Sequence, residues 1–147
     1  MIHVLFALYL SLNTVPVITL QRTGCFGDCP IYKVAIYDDG RVAYEGVEFV
    51  KRKGQAKGQI TTEALQELVR EFEKIDYFNL EDNYGGDSRL CPESWTDYPS
   101  ATTSLNWKDK KKTVRHYHGC RGSALLDQLT ALEDKIDKAV NTKRWIG

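Results

Sequence analysis

The chain has 147 residues, 42% hydrophobic and 27% charged, which is enough to bury a core within one domain. Twenty basic and twenty acidic side chains cancel, so the general basic excess of a nucleic-acid or anionic-membrane binder is lacking. Basic clusters at Lys51–Lys53 and Lys108–Lys112 sit beside Gly or Asp and read as solvated loop tips rather than binding patches.

In chain order, Val4 to Leu12 is a nearly unbroken apolar run. It has the length of a signal-peptide hydrophobic region and is too short to span a membrane. No Lys or Arg precedes it and no A-x-A site follows. Residues 1–16 are therefore expected to be a signal peptide with poor flanks, or else an apolar segment packed on the domain formed by 17–147. A signal peptide would place the mature start near Thr14 to Val17 and the domain in an oxidising compartment.

Val17 to Gln21 reads as a strand. Gly24-Cys25-Phe26-Gly27-Asp28-Cys29-Pro30 then concentrates two thiols, two glycines and a proline in a tight turn. Ile31 to Tyr37 alternates, with Tyr32, Val34 and Ile36 on one face. Asp39-Gly40 supplies a hairpin turn, and Val42 and Tyr44 lie on the return strand. Phe49 and Val50 extend it, and Gly54 and Gly58 punctuate a second turn.

Thr61 is a helix N-cap, with Leu65, Leu68, Val69, Phe72 and Ile75 on one helical face. Tyr77, Phe78 and Leu80 cover its exit. Tyr84 to Ser100, with Gly85-Gly86, Pro92 and Pro99, reads as a long loop that carries Cys91 and Trp95. Ala101, Thr103, Leu105 and Trp107 alternate, Lys108–Lys111 turns, and Thr113 to His118 returns. Ser123 caps a second helix whose inner residues are Leu126, Leu129, Leu132, Ile136 and Val140. Glu73–Asp76 and Asp134–Asp137 fall at matching places near the two helix ends and suggest a hairpin–helix unit used twice. The expected class is α+β: an antiparallel sheet from repeated hairpin–helix units, with two amphipathic helices packed on one face. Trp145 and Ile146 should tuck onto the core.

Gly24-Cys-Phe-Gly-Asp-Cys-Pro-Ile-Tyr, the Asp39-Gly40 hairpin, the Phe72–Phe78 helix exit, the pairs Thr96-Asp97 and Thr103-Ser104, and the closing Arg144-Trp145-Ile146-Gly147 resemble a bacterial family catalogued as domain of unknown function 6438. The resemblance runs from Val17 to Gly147, and its C-x-G-x-C-P signature is its most specific part. Members of that family often look exported. The family carries no established activity, so the resemblance implies no catalytic residue.

Cys25, Cys29, Cys91 and Cys120 admit three readings. Two disulfides are favoured, Cys25–Cys29 and Cys91–Cys120, because Gly27 lets the first pair meet and the second pair flanks one hairpin; sequence leaves three connectivities open. A zinc site would draw on Cys25, Cys29, His116, His118 and Cys120, the two histidines sharing a strand face. A redox pair at Cys25 and Cys29 would make a thiol–disulfide oxidoreductase, but the spacing is C-x-x-x-C and a strand, not an activating helix, follows Pro30.

Other chemistry is sparse. There is no P-loop, G-x-G-x-x-G or G-x-S-x-G, so no cofactor is expected. Asp82, Asp87, Glu93 and Asp97 place acids on the long loop, and Ser94, Thr96, Thr102, Thr103 and Ser104 are hydroxyls for which His116 or His118 could act as base. Tyr84, Trp95, Asp97 and Tyr98 form a weak binding surface. The expectation is an exported, disulfide-stabilised and non-catalytic module that binds an unknown protein or a cell-envelope component, with no nucleic acid and no transmembrane span.

Overall fold

The computed structural model describes residues 14–86 and 89–147. The apolar run from Val4 to Leu12 lies outside them. Strands β1 (Ile18–Arg22), β2 (Ile31–Ile36), β3 (Arg41–Glu48) and β4 (Gly54–Gln59) precede helix α1 (Thr62–Lys74). A 3₁₀ turn (Tyr77–Asn79) and short strands β5 (Asn83–Tyr84) and β6 (Glu93–Ser94) follow. Then come β7 (Ser100–Trp107), β8 (Lys110–Tyr117), β9 (Cys120–Arg121), α2 (Ala124–Val140) and the short α3 (Lys143–Ile146).

One sheet runs β4-β3-β2-β1-β7-β8-β5, and β6 pairs with β9 in a separate ladder. The expected α+β class holds, with two differences. The sheet is mixed, because β5 runs parallel to β8 while its other pairings are antiparallel. The two hairpin–helix units are also unequal: a four-strand meander precedes α1, and a single hairpin precedes α2. The expected turn at Gly54 and Gly58 is instead strand β4. Its sequence, GQAKGQ, has no apolar alternation to announce it. It is held at the sheet edge by backbone pairing to β3.

Period-two alternation explains the core. Ile18 and Leu20 on β1 align with Ile36 and Val34 on β2 and with Leu105 and Thr103 on β7. All six are buried. Each fully buried Leu or Ile contributes about 1.5–3 kcal/mol. The opposite face carries Thr19, Gln21, Lys33, Thr102 and Ser104, which line an open groove.

Both helices lie on the apolar face. Thr61 Oγ1 accepts the Ala64 N–H to start α1, and Ser123 Oγ accepts the Leu126 N–H to start α2, as capping chemistry requires. Phe72 packs edge-on against Tyr77 with ring centroids 4.7 Å apart, and the Tyr77 hydroxyl meets Thr103 Oγ1 at 2.8 Å. Burial pushes the Tyr77 hydroxyl up from its ordinary titration range.

Two glycines set local geometry. Gly40, at φ 82°, closes the β2–β3 hairpin through its N–H to the Tyr37 carbonyl. Gly58 makes room for the C-terminal segment, since a Cβ there would meet the Arg144 guanidinium at 2.6 Å and the Trp145 ring at 3.2 Å. Trp145 is buried, as expected, and stacks on Tyr44 at 4.6 Å. Its carbonyl accepts the Arg52 N–H at 2.8 Å.

Candidate functional site

The four cysteines form two disulfides, Cys25–Cys29 and Cys91–Cys120, with Cα–Cα distances of 5.6 and 4.8 Å. The first is half-buried in the turn before β2. The second is buried and ties the segment after β5 to β9. With every sulfur in a disulfide, none is a free thiolate. The mixed cysteine–histidine zinc set is corrected accordingly: Cys25, Cys29 and Cys120 are not available beside His116 and His118. Pro30 leads from Cys29 into β2, so no helix N-terminus adjoins that pair to activate a thiol.

The two histidines instead meet a residue that the sequence reading passed over. The sheet register sets up the encounter. Tyr32 aligns with Arg22, Arg22 with Ala101, and Ala101 with His116, giving one cross-sheet row on the helix-facing side. Glu133 and Asp137, one turn apart on α2, face this row. His116 Nδ1 lies 2.8 Å from Glu133 Oε2, and His118 Nε2 lies 2.7 Å from Glu133 Oε1. An ionised carboxylate only accepts, so these contacts assign one ring proton to Nδ1 of His116 and one to Nε2 of His118. The rings lie 4.5 Å apart and tilted by 32°.

Glu133 is 1% exposed and His116 2%. Burial pushes the Glu133 carboxyl up, but hydrogen bonds and charge from His116 and His118 outweigh it and hold the group below the usual carboxylate range. A cleft of about 450 Å³ is lined by both histidines with Arg121, Asp127, Thr130 and Asp134 among others, while Glu133 is buried. One imidazole nitrogen from each histidine and a carboxylate oxygen lie within 4.8 Å of one another. This is a donor set for a metal ion or a proton-sharing centre.

The signal for Glu133 was present. Residues 126, 129, 133, 136 and 140 keep a three–four spacing, so Glu133 stands in the apolar stripe of α2. Arg22 shows the same pattern in β1, following Ile18 and Leu20 on the core face. Its Nε donates to Asp137 Oδ2 at 2.9 Å, and its Nη2 lies 2.7 Å from the same oxygen. Tyr32 and Thr142 donate to Asp137 Oδ1 at 2.7 and 2.9 Å. Burial opposes the Arg22 charge, but Asp137 more than offsets it, and the guanidinium is held above its ordinary range.

The remaining candidates scatter. Thr103 is tied to Tyr77, while Thr102 and Ser104 lie on the sheet face opposite the histidines. Asp82 takes the Lys112 ammonium at 2.6 Å. Glu93 and Ser94 are exposed on β6, and Asp87 lies outside the described residues. In the aromatic set, Tyr84 is buried, its hydroxyl accepting the Glu81 N–H, and so it leaves the expected surface. Trp95, Asp97 and Tyr98 are exposed. The Asp97 carbonyl accepts the Phe26 N–H at 3.2 Å, and Arg121 stacks over Tyr98 at 4.3 Å. Among the described residues no helix is long and apolar enough to cross a membrane.

Comparison with curated proteins returns no match. The family described as Domain of unknown function (DUF6438) matches residues 16–140, and with that span the chain belongs to it.

Proposed function

We propose that this protein is an exported, disulfide-stapled module of the cell envelope that binds a protein or envelope component and has no catalytic role. The observation that carries this reading is the pairing of all four cysteines in two disulfides, which persist in oxidising compartments and are rare in the cytosol. The apolar run Val4–Leu12 supports it as an export signal, with the domain beginning near residue 17. Docking falls to the exposed edge formed by Trp95, Asp97 and Tyr98, beside the Cys25–Cys29 turn that is bonded to Asp97. Aromatic side chains on a loop held by a covalent staple give large contact area at low ordering cost.

The test is thiol counting on chain recovered from the envelope fraction of its host under acid quench. Alkylation before reduction should modify no cysteine, and alkylation after reduction should modify all four. Four alkylated cysteines before reduction, or a chain confined to the cytosol, would remove the proposal.

A further inference from the structure

We infer that His116, His118 and Glu133 form a binding site for a single first-row divalent metal ion of the zinc class, open to the cleft beside α2. The inference is independent of export.

Three features combine. The donors suit the ion: two imidazole nitrogens and one carboxylate oxygen form a borderline set that favours zinc over magnesium or calcium. The donors are also positioned. β8 presents His116, the chain delivers His118 two residues on, and α2 brings Glu133 over both, with contacts of 2.7 and 2.8 Å. Tetrahedral bonds of about 2.0–2.2 Å set donor separations of about 3.3–3.6 Å, which lie between these contacts and the 4.8 Å within which all three donors fall. Finally, the site is accessible. His118 is half-buried and both histidines line the cleft, which is the route by which an ion and a further water or ligand group would reach the donors.

A buried carboxylate costs several kcal/mol of desolvation unless something compensates it. In the metal-free protein that compensation comes from the two ring N–H groups. A divalent ion supplies it more fully, each neutral ring then carrying its proton on the nitrogen turned away from the metal.

The test uses the untagged full chain carrying His3→Ala, which removes the third histidine of the sequence. After chelator stripping, zinc is titrated calorimetrically and followed by imidazole nitrogen resonances. One equivalent should bind with a Kd of about micromolar or tighter. The rings of His116 and His118 should both shift. His118→Gln should weaken binding at least about tenfold while leaving the circular dichroism unchanged. Glu133→Gln should do the same if it folds. If it does not, His118→Gln and the ring resonances decide. Lack of saturable binding below millimolar zinc, undiminished binding by His118→Gln, or ring shifts absent from either histidine would overturn the site.

Discussion

Two carboxylates one turn apart on α2 have opposite partners. Glu133 is held by imidazoles, and Asp137 by a guanidinium and two hydroxyls. Every lone pair that Asp137 turns inward is used. Burial, then the Asp137 charge, push the Tyr32 hydroxyl up, so it remains a donor at neutral pH. Removing Asp137 would strip the largely buried Arg22 guanidinium of its nearer, less exposed counter-charge and leave the Tyr32 hydroxyl with its contact to Arg22 Nε but without its acceptor. Asp137→Ala should thus cost about 3 kcal/mol, the lower end for breaking a buried pair. Asp134 offers a contrast on the same guanidinium. It lies 3.2 Å from Arg22 Nη2 but its side chain is 68% exposed, so solvent screens it. Asp134→Ala should cost under about 1 kcal/mol. Urea unfolding of the two variants checks the ordering, and equal losses would show that burial does not govern this network.

Between elements, the clearest polar link joins the two helices. Glu71 on α1 accepts from Lys135 on α2 at 2.6 Å and from Lys74 in its own helix at 2.8 Å. Those hydrogen bonds, Lys135 first, hold its carboxyl below the ordinary carboxylate range. A folded value below the unfolded one means that the stabilisation is present above the ordinary Glu value of about 4.3 and is lost as pH falls through the folded value. Glu71→Gln should lower the urea midpoint at pH 7 by under about 1 kcal/mol equivalent, and the gap to wild type should close as pH falls through the folded value. A gap that persists below that value would assign the loss to packing rather than charge.

Elements built on apolar periodicity were legible in the sequence: β2, β3, β7 and both helices follow their Val, Ile and Leu spacing, and the Asp39-Gly40 turn follows its glycine. The β7–β8 turn was also legible, although Lys108 and Asp109 take φ of 50° and 62° without glycine. What escaped was fixed by partners. β4 exists because β3 offers an edge, β5 because β8 offers the other, and neither segment carries an apolar alternation of its own. The Glu133 cluster depends on register between β8 and α2. The histidines could be singled out locally, whereas their carboxylate lay seventeen residues away from His116 in a helix read as wholly apolar on its inner face.

At the scale of the molecule, the sheet has β1 at its middle, paired to β2 on one side and β7 on the other. Each half therefore depends on that shared strand and on the helices laid across it. The two disulfides act on different parts of this arrangement. Cys25–Cys29 closes a short turn between β1 and β2, which are already adjacent and fully paired. Cys91–Cys120 spans 29 positions and anchors an irregular stretch whose own strands are only two residues long. Loop-closure entropy scales with the logarithm of loop length, giving roughly 2 kcal/mol for the short loop and roughly 3.6 kcal/mol for the long one. Burial widens the difference, since Cys120 is 1% exposed and its loss also removes packed volume. The double variant Cys91→Ala/Cys120→Ala should therefore lose more stability than Cys25→Ala/Cys29→Ala, and hydrogen exchange should rise across β5, β6 and β9 while β1 to β3 stay protected. If both double variants lost the same stability, or if the loss at Cys91 and Cys120 spread evenly over the sheet, the long crosslink would be restraining the whole unfolded chain without any particular hold on this irregular end.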